Sequence, residues 1–170
     1  MSPIVHSVRH AQGVHNLSHA NHHLSDPELA PLGEEQARAL GARFLALDNI
    51  QLILSSPQRR AIQTALLAFS SHVGDGSLQV VAAWPEVQEA SDLISDAGRD
   101  LPDIQAEFEK LPVDFALVEP GFHIKQGKWA PVASRLLERA QLARQWLSQR
   151  PEKEIVVVSA VFCIFLRMTG

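Results

Sequence analysis

Arg9 and His10 stand together at the end of a short, partly apolar run, and Asn16 follows after Ala11-Gln12-Gly13-Val14-His15. A guanidinium, an imidazole and an amide in that order suit phosphoryl transfer. A phosphate monoester carries up to two negative charges, and positioning with fixed positive charge lowers most of its barrier. The planar fork of Arg9 matches phosphate oxygens. A neutral His10 can attack phosphorus through one ring nitrogen when an acceptor holds the other. Asn16 can donate to a phosphate oxygen.

A second basic element is Ser55-Ser56-Pro57-Gln58-Arg59-Arg60-Ala61-Ile62-Gln63-Thr64-Ala65. An arginine at a helix start adds its charge to an end that already attracts anions. Trp84-Pro85-Glu86-Val87-Gln88-Glu89 offers two carboxylates. One carboxyl group can protonate a leaving oxygen and later deprotonate the attacking water. The histidines His15, His19, His22 and His23 form a rival cluster. Imidazoles four residues apart could bind zinc or nickel. The segment is loop-like, lacks cysteine and has only Asp26 and Glu28 beside it. A polar loop rimming an anion pocket is the favoured reading, and no metal is expected.

Ile4 to Val8 reads as the strand that ends at the Arg-His pair. His15 to Pro31 is rich in His, Asn, Ser, Asp and Pro and reads as loop. A helix opens at Leu32-Gly33-Glu34-Glu35, with Ala37, Leu40, Phe44 and Leu47 near the helical period. Ile50 to Leu54 is a short strand. Ser56 is the expected N-cap of the next helix, with Pro57 in its first turn and the helix running from Arg59 to Phe69. Leu78 to Ala83 is a third strand, and Trp84 to Pro120 is irregular apart from a short helix over Asp103 to Lys110. Pro131 to Arg150 is an amphipathic helix with Leu136, Ala140, Ala143 and Leu147 on one stripe. Ile155 to Val158 is an unbroken β-branched run, as in a strand buried on both faces. This alternation predicts an α/β fold around a mostly parallel sheet. Ligands bind such sheets beyond the strand C-terminal ends. Arg9-His10, Ser55 to Arg60 and Ser159-Ala160 all fall there, so they should converge.

The 170 residues fit one domain with a real core. A hydrophobic share of 46% with 20% charged residues is ordinary for a globular chain. A net charge of −4 implies no general attraction to nucleic acid or anionic membrane. The single cysteine, Cys163, excludes an intrachain disulfide and fits a reducing compartment. Met1 to Val8 lacks the apolar core of a secretory signal. Ile155 to Leu166 falls short of the roughly 20 residues of a membrane span.

The stretch from Val8 to Asn16 resembles the signature of the histidine phosphatase (phosphoglycerate mutase-like) superfamily. Ser56, Arg60 and Thr64 are similar to that family's Ser-x-x-x-Arg-x-x-x-Thr helix, and Asp26 to Ala37 resembles the segment before its first helix. The resemblance implies a three-layer α/β/α sandwich with a mostly parallel central sheet. It would be a single domain over 1–170 with a short or divergent C-terminus. It implies hydrolysis of a phosphate ester through phospho-His10, with neither metal nor cofactor. Arg9, Asn16 and Arg60 would bind phosphate, while Arg59 would be solvated. The family's Leu-x-Glu pattern overlays Val87-Gln88-Glu89, which makes Glu89 the acid and Glu86 the alternative. The implied ligand is a small phosphorylated molecule or inorganic phosphate, in the cytoplasm, with no nucleic acid or membrane partner. Hydrolysis is favoured over mutase transfer, which needs a pocket closed against water that no motif here marks.

One element departs from the family. Its last strand typically ends in Ser-His-Gly, the His donating to the transferring phosphoryl group. This chain reads Val156-Val157-Val158-Ser159-Ala160-Val161, and every histidine lies at or before His123. Losing a donor of this kind lowers the rate by about 10²- to 10³-fold. An engineered substitution, a natural pseudo-enzyme and a divergent or mis-spliced C-terminus are the competing explanations. Val161-Phe162-Cys163-Ile164 does not match the usual continuation, which disfavours a simple His-to-Ala change. Three functions follow: a phosphatase impaired by Ala160, a silent phosphate- or partner-binding protein, or an enzyme of different chemistry in the same pocket.

Overall fold

A computed structural model of the chain describes residues 2–74, 78 and 80–160. Its sheet has five strands: β1 (Ile4–Arg9), β2 (Leu52–Ser55), β3 (Val81–Ala83), β4 (Val113–Asp114) and β5 (Glu154–Ser159). They lie in the order β1-β5-β2-β3-β4, and every pairing is parallel. The helices are α1 (Pro31–Arg43), α2 (Arg59–Ala68), α3 (Ile94–Ala97), α4 (Leu101–Phe108) and α5 (Ala133–Ser148). Successive side chains of a strand point to opposite faces, and β5 uses both. Val156 and Val158 pack with Ile53, Ala61, Ala65 and Phe69 on the α2 side. Ile155 and Val157 pack with Leu54, Ala140, Ala143 and Leu147 on the α5 side. The result is a three-layer α/β/α sandwich in which β5, between β1 and β2, is covered on both faces. All four of these β5 residues are fully buried, each worth roughly 1.5–3 kcal/mol against exposure. Among the described residues no helix is long and apolar enough to cross a membrane.

Three local expectations are corrected. The third strand starts at Val81, not Leu78, which makes only an isolated bridge to Val73. The stretch from Trp84 to Pro120 is ordered as a turn at Pro85–Val87, α3, α4 and β4. Here α4 begins before Asp103, because the Asp100 carboxylate accepts the Leu101 N–H at 2.9 Å and Pro102 fits the first turn. Ser56 does not cap α2, which begins at Arg59 after Gln58 with no cap from its own flank. Asp26 does this from the distant loop, accepting the Arg59 N–H at 3.1 Å. Asp26 is fully buried and takes a left-handed φ of 44°, a conformation that aspartate tolerates better than most residues.

Candidate active site

The site begins where β1 and β5 end. Arg9 pairs with Ser159 in the parallel register, and the His10 N–H donates to the Ser159 carbonyl at 2.8 Å. His10 and Ala160 are thus the next residues on adjacent strands, and both are buried. The His10 Nδ1 lies 2.7 Å from the Ala11 carbonyl. A carbonyl only accepts, so Nδ1 carries the proton and Nε2 presents its lone pair. Arg60 Nε–H donates to that Nε2 at 3.2 Å.

Arg60 projects from the first turn of α2 and is fully buried. Its Nη2 donates to Glu89 Oε1 at 2.7 Å and to Asp96 Oδ1 at 3.0 Å, and its Nη1 donates to the Ser95 carbonyl at 2.8 Å. Glu89 Oε1 is 3.5 Å from His10 Nε2. Burial pushes the Glu89 carboxyl up, but a hydrogen bond from His10, which the ring can give only when Nε2 carries a proton, and the Arg60 guanidinium outweigh it and hold the group at about 2. Without a ligand it is a carboxylate. A phosphate dianion on Arg60 and His10 would relieve that hold, the direction a proton donor requires.

Arg9, His10, Ala11, Gln12, Asn16 and Gln36 line a cavity of about 310 Å³. Arg9 is exposed and, among the described residues, has no ion-pair partner. Asn16 Oδ1 accepts the Gly13 N–H at 3.0 Å, which leaves its amide hydrogens to donate. The loop is braced from behind by α1, where a Cβ on Gly33 would fall 2.0 Å from the Gln12 carbonyl oxygen. The structure therefore joins His10, Arg60 and Glu89 by direct contact. Arg9 and Asn16 share a cavity wall with His10, and Arg60 meets the ring from its buried side.

Glu86 is elsewhere, lining another cavity with Trp84, Leu142, Gln145 and Trp146, and burial raises its carboxyl. Arg59 is not simply solvated: it pairs with Glu107 at 2.7 Å and Glu28 at 3.0 Å. The loop histidines form short turns at Val14–Leu17 and His19–His23, with rings packed in file. His10–His15 and His15–His22 centroids are 5.9 Å apart and His19–His22 5.3 Å. Among the described residues no group of three or more His, Cys, Asp or Glu is arranged to hold a metal.

Several contacts escape sequence reading. Asp96 and Ser95 reach Arg60 from a segment with no motif. Lys125 Nζ donates to Gln88 Oε1 at 2.7 Å and the Glu89 carbonyl at 3.1 Å, and Arg139 Nη2 donates to the Gln88 carbonyl at 3.0 Å. These two cations anchor the backbone of Glu89. Burial first, then Arg139, lowers the Lys125 amine to about 8. Arg139 had a signal: it stands three residues after Leu136 and four before Ala143, on the buried stripe of α5. Val161 to Ile164 lie outside the described residues.

A fold that gathers these groups at parallel strand ends has known counterparts. The chain belongs to the histidine phosphatase superfamily (branch 1), whose family model matches residues 5–167. It is 26% identical over 191 residues to a "Phosphoglycerate mutase-like protein" of Arabidopsis thaliana, covering 91% of this chain and 69% of that one. It is 27% identical over 157 residues to a "Probable phosphatase" of Schizosaccharomyces pombe, covering 91% and 72%. Among solved structures, the ecdysone phosphate phosphatase from Bombix mori in complex with tungstate superposes with a TM-score of 0.65. It shares 16% identity, covers 92% of this chain and 72% of that one, and shows the shared fold.

Proposed function

We propose that this chain, as a single domain in the cytoplasm, hydrolyses phosphate monoesters of small molecules through a phospho-His10 intermediate. Its turnover is weakened by Ala160. His10 Nε2 attacks phosphorus as the ester P–O bond breaks, and Glu89 gives the leaving oxygen its proton. Water then attacks phosphorus, Glu89 takes the water's proton, and the P–N bond breaks to release phosphate. Arg9, Asn16 and Arg60 hold the phosphoryl oxygens, and no metal takes part. The observation that carries this reading is the His10 ring itself. Its Nδ1 is tied to a carbonyl while Nε2, the nucleophilic lone pair, faces Arg60 and Glu89. Turnover of an aryl phosphate, with acid-labile phosphate trapped on the protein, tests it. Weak turnover that Ala160→His raises supports the reading. A kcat on the order of 10 s⁻¹ or more without that substitution would mean that the second histidine was misassigned.

One observation favours a second reading. Ala160 presents a buried methyl where the family's imidazole is expected. If turnover is absent while vanadate still binds, the protein is a silent phosphate-binding member of its family.

A further inference from the structure

The phosphatase reading leaves one buried histidine without a task, and this inference rests on that reading. We infer that the turnover surviving Ala160 depends on His15, which hydrogen-bonds the transferring phosphoryl group in place of the imidazole absent from the end of β5.

His15 is only 5% exposed, and its Nδ1 is buried without a hydrogen-bond partner. Such orphans are rare, because leaving a buried polar group unpaired is costly. The ring sits 5.9 Å, centroid to centroid, from His10. With donor–acceptor distances of about 2.7–3.2 Å, a ring at that separation can reach an oxygen carried on His10. Gly13 makes the placement possible, since a Cβ there would fall 2.6 Å from His15 Nδ1. The ring is braced behind by His22, whose Nδ1 lies 3.5 Å from Ser95 Oγ, and the Ser95 carbonyl accepts from Arg60. The imidazole is thus held next to the nucleophile by the segment that also holds the second arginine.

The groups facing His15 are Arg60, His10, Glu89 and His22. Burial first, then Arg60 and His10, lowers His15 to about 4, against the weaker opposite pull of Glu89. It is therefore neutral at physiological pH and offers one N–H without adding a cation beside Arg60. A neutral donor already held beside developing phosphoryl charge stabilises the transition state with little reorganisation. His15 keeps its proton throughout: the P–N bond forms at His10, and the leaving oxygen is protonated by Glu89.

The test uses aryl phosphate turnover and vanadate affinity in wild type, His15→Phe, His15→Gln, Ala160→His and His15→Phe/Ala160→His. Phe keeps the ring volume without an N–H, and Gln keeps an N–H. The expected result is a loss of kcat of about 10²-fold in His15→Phe with KM and vanadate affinity within a few-fold, and a smaller loss in His15→Gln. Ala160→His should raise kcat at least about tenfold more in the His15→Phe background than in wild type, because two donors at one phosphoryl group are redundant. Unchanged kcat in His15→Phe, or an equal effect of Ala160→His in both backgrounds, overturns the assignment of His15. A wild-type protein that neither turns over aryl phosphate nor binds vanadate overturns the phosphatase reading itself.

Discussion

β1 and β5 run in register, and the residue after each strand is buried at the same level, His10 on one and Ala160 on the other. Around His10 the polar groups are densely paired. Arg60, fully buried, divides its donors among His10, Glu89, Asp96 and the Ser95 carbonyl. At Ala160 there is a methyl group. The backbone survives on both sides, because the sheet needs only the Ser159 carbonyl and an apolar strand to form. On the proposed mechanism the difference would separate binding from rate. The guanidiniums would act on a ground-state anion, whereas a missing donor would be felt most as charge shifts in the transition state.

The largest expected effect is on the His10 side. His10→Ala should reduce aryl phosphate turnover to background, since no covalent intermediate can form. Retained turnover with no trapped phosphoenzyme would transfer the chemistry to another group. Arg60→Ala comes next, because it takes the guanidinium from the buried Glu89 carboxylate and leaves the half-buried Asp96 with only the Ser91 hydroxyl. Urea unfolding should show a loss of about 3–5 kcal/mol, as for a broken buried ion pair, together with weaker vanadate binding. A surface arginine would give neither.

Ala160→His sharpens the contrast from the other strand. Turnover should rise, by at most about 10²- to 10³-fold, with vanadate affinity nearly unchanged. An effect on affinity alone would mean that position 160 serves ground-state binding.

Acid titration of stability reads a smaller effect. His15 is lowered from 6.5 to about 4, so between those values the unfolded chain binds a proton that the native chain refuses. Stability should therefore fall as pH drops through that window. Glu89, lowered from 4.5 to about 2, adds a further loss as pH falls from 4.5 toward 2. In His15→Phe the decline between 6.5 and 4 should flatten, while the Glu89 limb remains. Equilibrium unfolding across pH 3–7 checks this, and an unchanged His15→Phe profile contradicts the burial of that imidazole. Chelators should leave turnover unaltered. Activity lost to chelator and restored by zinc would assign the work to the His15–His23 segment.

Much of the fold was legible because it is written in short-range patterns. The β-branched run at Ile155 to Val158 announced a strand covered on both faces, and the stripe through Leu136, Ala140, Ala143 and Leu147 announced α5. The candidate site was legible in part. Arg9-His10 could be set at a strand end and Arg60 at a helix start. Asp26 as the cap of α2 was not legible, because its partner N–H is 33 residues away. Asp96 carried no spacing signal, and the packing of the loop histidine rings in file was not written in their spacing.

By itself, then, the sequence determined the alternation of β1, α1, β2, α2, β3, α5 and β5 around a mostly parallel sheet, though not α3 or β4, and that a methyl group stands at position 160. Side-chain periodicity and covalent identity suffice for that. Only the tertiary structure decided that Glu89 rather than Glu86 meets Arg60, that Asp96 joins them, and that the His15 ring packs beside His10 with a nitrogen unpaired. Those choices depend on which buried groups meet through space once water is removed, and no spacing along the chain encodes that distance.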